Sequence, residues 1–176
     1  MLIVGDNLKY LIKQYDVVSE DSFDNTSVSL RLGKTIIRME PPTSEKTFIY
    51  YGEDIPEEFF KEEEITQGGL IIPPKSCILA SSYEKVNIPN GYFGLLQTKG
   101  SLARLFVSLT CTDGQIEPGY SGNITFEICN HSNFYIKIKP KQFVGQLFLF
   151  KTSTKQVELY AGKYQNATGP TKHKSE

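Results

Sequence analysis

The sequence predicts an all-β fold, a barrel or jelly roll with one N-terminal helix and short helical turns. Eleven Phe and ten Tyr but no Trp occur among 176 residues, an aromatic bias that suits pleated strands. Apolar and polar residues alternate in short runs closed by Gly or Pro, the period of a strand with one buried face. Neither an internal repeat nor helix–strand alternation occurs, which removes the parallel α/β folds.

Each element follows from its local pattern. Asp6 precedes Leu8, Leu11, Ile12 and Tyr15, an i, i+3, i+4, i+7 series behind a plausible N-cap, and predicts the one helix. Residues 26–32 alternate, with Val28, Leu30 and Leu32 on one face and Ser27, Ser29 and Arg31 on the other, a half-buried strand ended by Gly33. Further strands are predicted at 47–51, 70–72 and 77–81, parted by Gly and by Pro73-Pro74. The Glu-rich run at 53–69, which carries Glu57, Glu58, Glu62, Glu63 and Glu64, reads as a solvated surface insertion. The second half is denser, with strands at 92–98, 106–110, 123–130, 134–138 and 144–150. One β-domain over 1–160 and a flexible lid or tail at 161–176 complete the organisation.

Charge and cysteine usage narrow the function. A formal net charge of -1 gives no field for a nucleic-acid polymer or an anionic membrane, so phosphate recognition has to be local. No apolar run approaches a membrane span or a secretory signal, and the expectation is a cytoplasmic protein. The tripeptides beginning at Asn25, Asn123 and Asn166 that match a glycosylation pattern are then chance matches. Cys77, Cys111 and Cys129 are odd in number and far apart, which predicts reduced, half-buried thiols.

Zinc deaminases carry H-x-E and P-C-x-x-C, and neither occurs here, where His131 and His173 stand alone. Walker A and G-x-G-x-x-G loops are also missing. Two features remain. The stretch Lys99-Gly100-Ser101-Leu102-Ala103-Arg104 is either an ordinary loop or a turn whose N–H groups, hydroxyl and cations hold phosphate. In 123–130, alternation sets Ile124, Phe126 and Ile128 against Thr125, Glu127 and Cys129. Glu127 is then either a surface residue or a general base of raised pKa.

Several ordered blocks give these residues a context. The run from 94 to 150, with SLAR, IEPGYSGNITFE and VGQL in sequence, resembles the deoxycytidine triphosphate (dCTP) deaminases of the dUTPase superfamily. TSVSLRLG at 26–33, IPPKSCILASSYEKVNIP at 72–89 and GKYQNATGP at 162–170 extend the resemblance to nearly the whole chain. It implies a distorted, dUTPase-like β-barrel, a homotrimer with sites between neighbours, and hydrolysis of dCTP to dUTP and ammonia without zinc. Glu127 matches the general base, and Arg104 the arginine that orients water or stabilises developing charge. Lys99, Ser101, Gln146 and Lys163 match triphosphate-holding positions, Tyr160 matches a ligand-contacting tyrosine, and 162–170 matches a nucleotide lid. The implied cofactor is Mg²⁺ carried by the triphosphate, with no protein cage for a metal, and dTTP is a candidate inhibitor on which the sequence does not decide.

Departures from the family pattern define the alternatives. Glu117 stands where dUTPases and bifunctional members carry an aspartate that activates water against the α-phosphate, so a bifunctional enzyme or a dUTPase-like pyrophosphohydrolase giving dUMP is one. Gly100 replaces a site serine, Lys99 an arginine, Asp113 a small residue and Ala167 a polar lid residue. These point to an enzyme for a modified dCTP or to a catalytically silent nucleotide-binding or regulatory homologue.

Overall fold

Alternating β-branched and apolar runs build most of the structure, a computed structural model that describes residues 1–43, 47–111 and 113–175. Glu176, the last residue of the expected tail, lies outside the described residues. The chain opens with α1 (Gly5–Tyr15), then β1 (Phe23–Asp24), β2 (Ser27–Arg31), β3 (Thr35–Met39), β4 (Phe60–Glu64), β5 (Leu70–Ile72) and β6 (Ser76–Asn87). There follow β7 (Tyr92–Thr98), the single turn α2 (Gly100–Ala103), β8 (Val107–Ser108), β9 (Gln115–Ile116), β10 (Ser121–Asn130), β11 (Ile136–Ile138) and β12 (Phe143–Lys151).

Two five-stranded sheets result, β1-β2-β12-β7-β9 and β4-β3-β6-β10-β8, with a separate β11-β5 ribbon. Every pairing between the strands is antiparallel. One apolar cluster joins the sheets, with Val28, Leu30, Leu96, Leu147 and Leu149 from the first and Ile78, Ala80, Ile124, Phe126 and Ile128 from the second. α1 adds Leu8, Leu11 and Ile12 to this cluster, and no helix among the described residues is long and apolar enough to cross a membrane.

The structure differs from the sequence expectations at several points. The N-cap of α1 is Val4 and not Asp6, which sits in the first turn, and Tyr15 is 45% exposed. β2 is buried on both faces, because Ser27 receives Gln146 and Arg31 pairs with the buried Glu84. Residues 47–51 form no strand, whereas 35–39 do. The Glu-rich run contributes β4, an edge strand that pairs with β3 through its backbone while its carboxylates stay in water. Charged edge strands resist pairing with other chains.

The expected thiols also need correction. Register sets Cys129 opposite Cys77 on adjacent strands, and the two form a disulfide with Cα atoms 4.1 Å apart, leaving Cys111 free and exposed.

Candidate functional site

β10 carries the site because its side chains alternate strictly across the sheet. Ile124, Phe126 and Ile128 turn into the core at 3%, 0% and 0% exposure. Thr125, Glu127 and Cys129 turn the other way, into a cavity of about 840 Å³, a volume typical of small-molecule sites. Leu79 of β6, Glu117 after β9, Tyr50 and Tyr51 of the segment 47–51, and Tyr160 and His173 of the C-terminal segment line the same cavity.

Glu127 is held on both sides. It lies opposite Leu79 on β6, bridges Thr110 in parallel, and donates its N–H to Leu109 O at 2.9 Å. Its carboxylate makes no hydrogen bond among the described residues, and burial first, then the charge of Asp113, push its pKa above the ordinary carboxylate value. A half-buried carboxyl with a raised pKa and acceptor oxygens free for water suits general base chemistry.

Asp113 and Glu117 enter the cavity from the β8–β9 loop and the turn after β9. The Asp113 N–H donates to Thr110 O at 2.8 Å, and Asp113 Oδ1 accepts the Gln115 N–H at 3.2 Å, which fixes the loop. Glu117 O accepts the Tyr120 N–H at 3.2 Å. The Tyr160 ring sits 5.7 Å from that of Tyr120, and its hydroxyl accepts the Tyr164 N–H at 3.2 Å. Burial first, and then Tyr160, push the Tyr120 hydroxyl up to about 12, so it stays protonated and donates to Asn123 O at 2.6 Å.

The other sequence-predicted residues stand apart from this cavity. Lys99 precedes α2, donates its N–H to Val144 O at 2.8 Å, and holds its ammonium 5.9 Å from the Phe143 ring. Ser101 and Arg104 are exposed, and Arg104 Nη1 donates to Gly100 O at 3.0 Å. Gln146 lies two residues beyond Val144 on β12 and reaches Ser27 Oγ at 3.5 Å. Lys99, Gly100, Ser101, Arg104 and Gln146 therefore gather at the α2 end of the first sheet, outside the lining of the cavity that Glu127 of the second sheet shares with Asp113, Glu117 and Tyr160. Lys163 is exposed, and its ammonium donates to Lys174 O.

Sequence reasoning missed Tyr50, Tyr51, Thr171, Lys172 and His173 as cavity residues. Thr125 was legible, since it lies two residues before Glu127 on the same face; the others reach the cavity through irregular backbone that carries no periodic signal.

Fold and cavity define a two-sheet β protein with an acidic, aromatic-walled cleft sized for a small ligand. The chain belongs to the dCTP deaminase-like family, whose model matches residues 3–152. It is 31% identical over 189 residues to a "dCTP deaminase, dUMP-forming" of Nanoarchaeum equitans, covering 97% of this chain and 96% of that one. A protein of the same name from Acidothermus cellulolyticus is 37% identical over 110 residues, which cover 60% of this chain and 58% of the relative's length. The fold is similar to that of the 2'-deoxycytidine 5'-triphosphate deaminase of Agrobacterium tumefaciens, with TM-score 0.64 at 18% identity over 84% of this chain and 47% of that chain.

Proposed function

We propose that this protein hydrolyses dCTP to dUTP and ammonia, with Glu127 as general base. The observation that carries the reading is the Glu127 carboxylate itself, aimed into a nucleotide-sized cavity, free of hydrogen bonds among the described residues, and raised in pKa. Glu127 takes a proton from water as the hydroxide adds to C4 of cytosine, and passes that proton to N3; it then takes the proton of the new C4 hydroxyl and delivers it to the amino group, so that the C4–N bond breaks and ammonia leaves as the C4 carbonyl forms. General acid–base help of this kind contributes about 10²- to 10⁴-fold in rate. No zinc enters this scheme.

The separation of the two residue groups favours an assembly in which each completes the other's site. Ser101 and Arg104 are exposed, and next to them Leu105 and Phe106 are 50% and 70% exposed, an apolar surface that a second copy would cover. In a homotrimer a neighbour then brings Arg104 to the charge that develops at Glu127, with Lys99, Ser101 and Gln146 toward the triphosphate, and Lys163 of the tail serves the same phosphates. Mg²⁺ arrives with the triphosphate and is held mainly by phosphate oxygens and water. Asp113 and Glu117 offer carboxylate oxygens of the kind a hard cation accepts.

A second reading adds a hydrolysis. Glu117 lines the cavity that holds Glu127, and the relatives named above are called dUMP-forming. Glu117 then activates a second water, and dUTP is cleaved to dUMP and pyrophosphate. Incubation with Mg²⁺ and dCTP, with nucleotides, ammonia and pyrophosphate resolved, tests both. Ammonia with dUTP supports deamination alone, and ammonia with dUMP and pyrophosphate supports the bifunctional enzyme. Pyrophosphate without ammonia contradicts the deaminase, and binding without turnover marks a regulatory homologue or an enzyme for a modified dCTP, with dTTP the ligand to compare.

A further inference from the structure

Beyond Tyr160 the chain folds back along its own β10. Asn166 donates its N–H to Ser121 O at 2.7 Å, and the Asn123 N–H donates to Ala167 O at 2.8 Å, where the β10 register is irregular. The Thr171 N–H donates to Thr125 Oγ1 at 3.0 Å, and the two threonine hydroxyls meet at 2.8 Å. Gly122 permits this approach, since its φ is +150° and a Cβ there would lie 2.7 Å from Ala167 N. Contacts advance together along both segments, so the tail runs toward Glu127, two residues past Thr125. Two residues past Thr171 stands His173.

The segment around His173 is anchored on both sides. Lys172 pairs with Glu57 and holds its ammonium 5.1 Å from the Phe60 ring. Lys163 and Lys174 each donate an ammonium to the other's carbonyl. The imidazole lines the cavity 6.0 Å from the Tyr51 ring. Its Nε2 is shielded from solvent and has no hydrogen-bond partner among the described residues. A polar atom removed from water without a partner is costly, and a ligand in the cavity would supply one.

We propose that His173 is a specificity-determining residue that hydrogen-bonds, through Nε2, the pyrimidine base presented to Glu127. The proposal rests on the deaminase reading of the cavity. The base, and not the triphosphate, is assigned to His173 because C4 has to lie at Glu127, and the tail brings His173 to that level of β10. Lys172, the cation beside it, is already engaged by Glu57.

Steady-state kinetics with dCTP on the wild type, His173→Phe and His173→Gln test the assignment, with inorganic tripolyphosphate as an inhibitor that has no base. His173→Phe is expected to raise KM for dCTP about tenfold, the equivalent of one hydrogen bond, with kcat little changed and inhibition by tripolyphosphate unaltered. His173→Gln, whose amide nitrogen reaches the Nε2 position, is expected to recover most of the loss. An unchanged KM in His173→Phe overturns the proposal, as does a parallel weakening of tripolyphosphate, which would make His173 only an anchor of the tail. A wild-type protein inert toward dCTP overturns the deaminase reading, and this proposal with it.

Discussion

Glu127 shares its cavity with Asp113, and burial first, then the charge of that neighbour, hold the Glu127 carboxyl above its ordinary value of 4.5. A base works only when deprotonated, so kcat/KM should fall as pH drops through this raised pKa. Asp113→Asn removes the charge but not the burial, and is expected to move the acid limb of the kcat/KM profile to lower pH without reaching the range of an exposed glutamate. An unmoved limb would mean that Asp113 does not act on the base.

Arg104 and Glu127 belong to different residue groups in one chain, and a shared site turns that separation into a measurement. Glu127→Gln and Arg104→Ala are each expected to be inactive. Mixed in equal amounts under conditions that allow subunit exchange, they should regain activity at about a quarter of the sites, as random assembly of a closed oligomer with sites between neighbours requires. No recovery would place both residues in one subunit's site.

At Gly100, an added Cβ would meet only the Arg104 Nη1 atom, at 3.1 Å, the movable end of a flexible side chain. Gly100→Ser is therefore expected to change stability by no more than about 0.5 kcal/mol and to preserve or raise dCTP turnover. Lost turnover in a stably folded variant would identify the glycine as an adaptation to a larger base.

Arg31 Nη1 lies 2.9 Å from Glu84 Oε1, with the Glu84 side chain 3% exposed. Burial nonetheless raises the Glu84 pKa, since desolvation outweighs what the Arg31 N–H and guanidinium return. Arg31→Ala strands this carboxylate and is expected to cost about 3–5 kcal/mol near neutral pH, read from urea unfolding. A group of raised folded pKa loses its charge first in the folded state, so the loss should shrink as pH falls through the Glu84 titration. A pH-independent loss would assign the effect to packing alone.

How much of this was legible in the sequence depended on periodicity. The strands at 70–72 and 92–98 match their predicted bounds, and Glu127 falls on the face that alternation assigns to it. β4 was hidden because FKEEE keeps its charged side chains at the surface, where Glu63 pairs with Arg38 and Lys61 with Glu40, so they carry no alternation of burial. The Cys77–Cys129 disulfide spans 52 residues and is set by register between β6 and β10, which local spacing cannot reveal. The tail lacks apolar anchors, yet it docks through backbone groups and Gln165, which receives the Ser121 N–H and donates to Gly119 O and Tyr160 O. Composition registers none of these bonds.

The role of Glu127 is tested most directly by Glu127→Gln, compared with the wild type for dCTP binding by calorimetry and for ammonia release. The raised pKa makes the charged carboxylate costly to the fold as pH rises through 4.5, so the glutamine variant should be at least as stable as the wild type at neutral pH. It is expected to bind dCTP and Mg²⁺ with little change and to release no measurable ammonia. A folded Glu127→Gln protein that deaminates dCTP at the wild-type rate would contradict the assignment of the base.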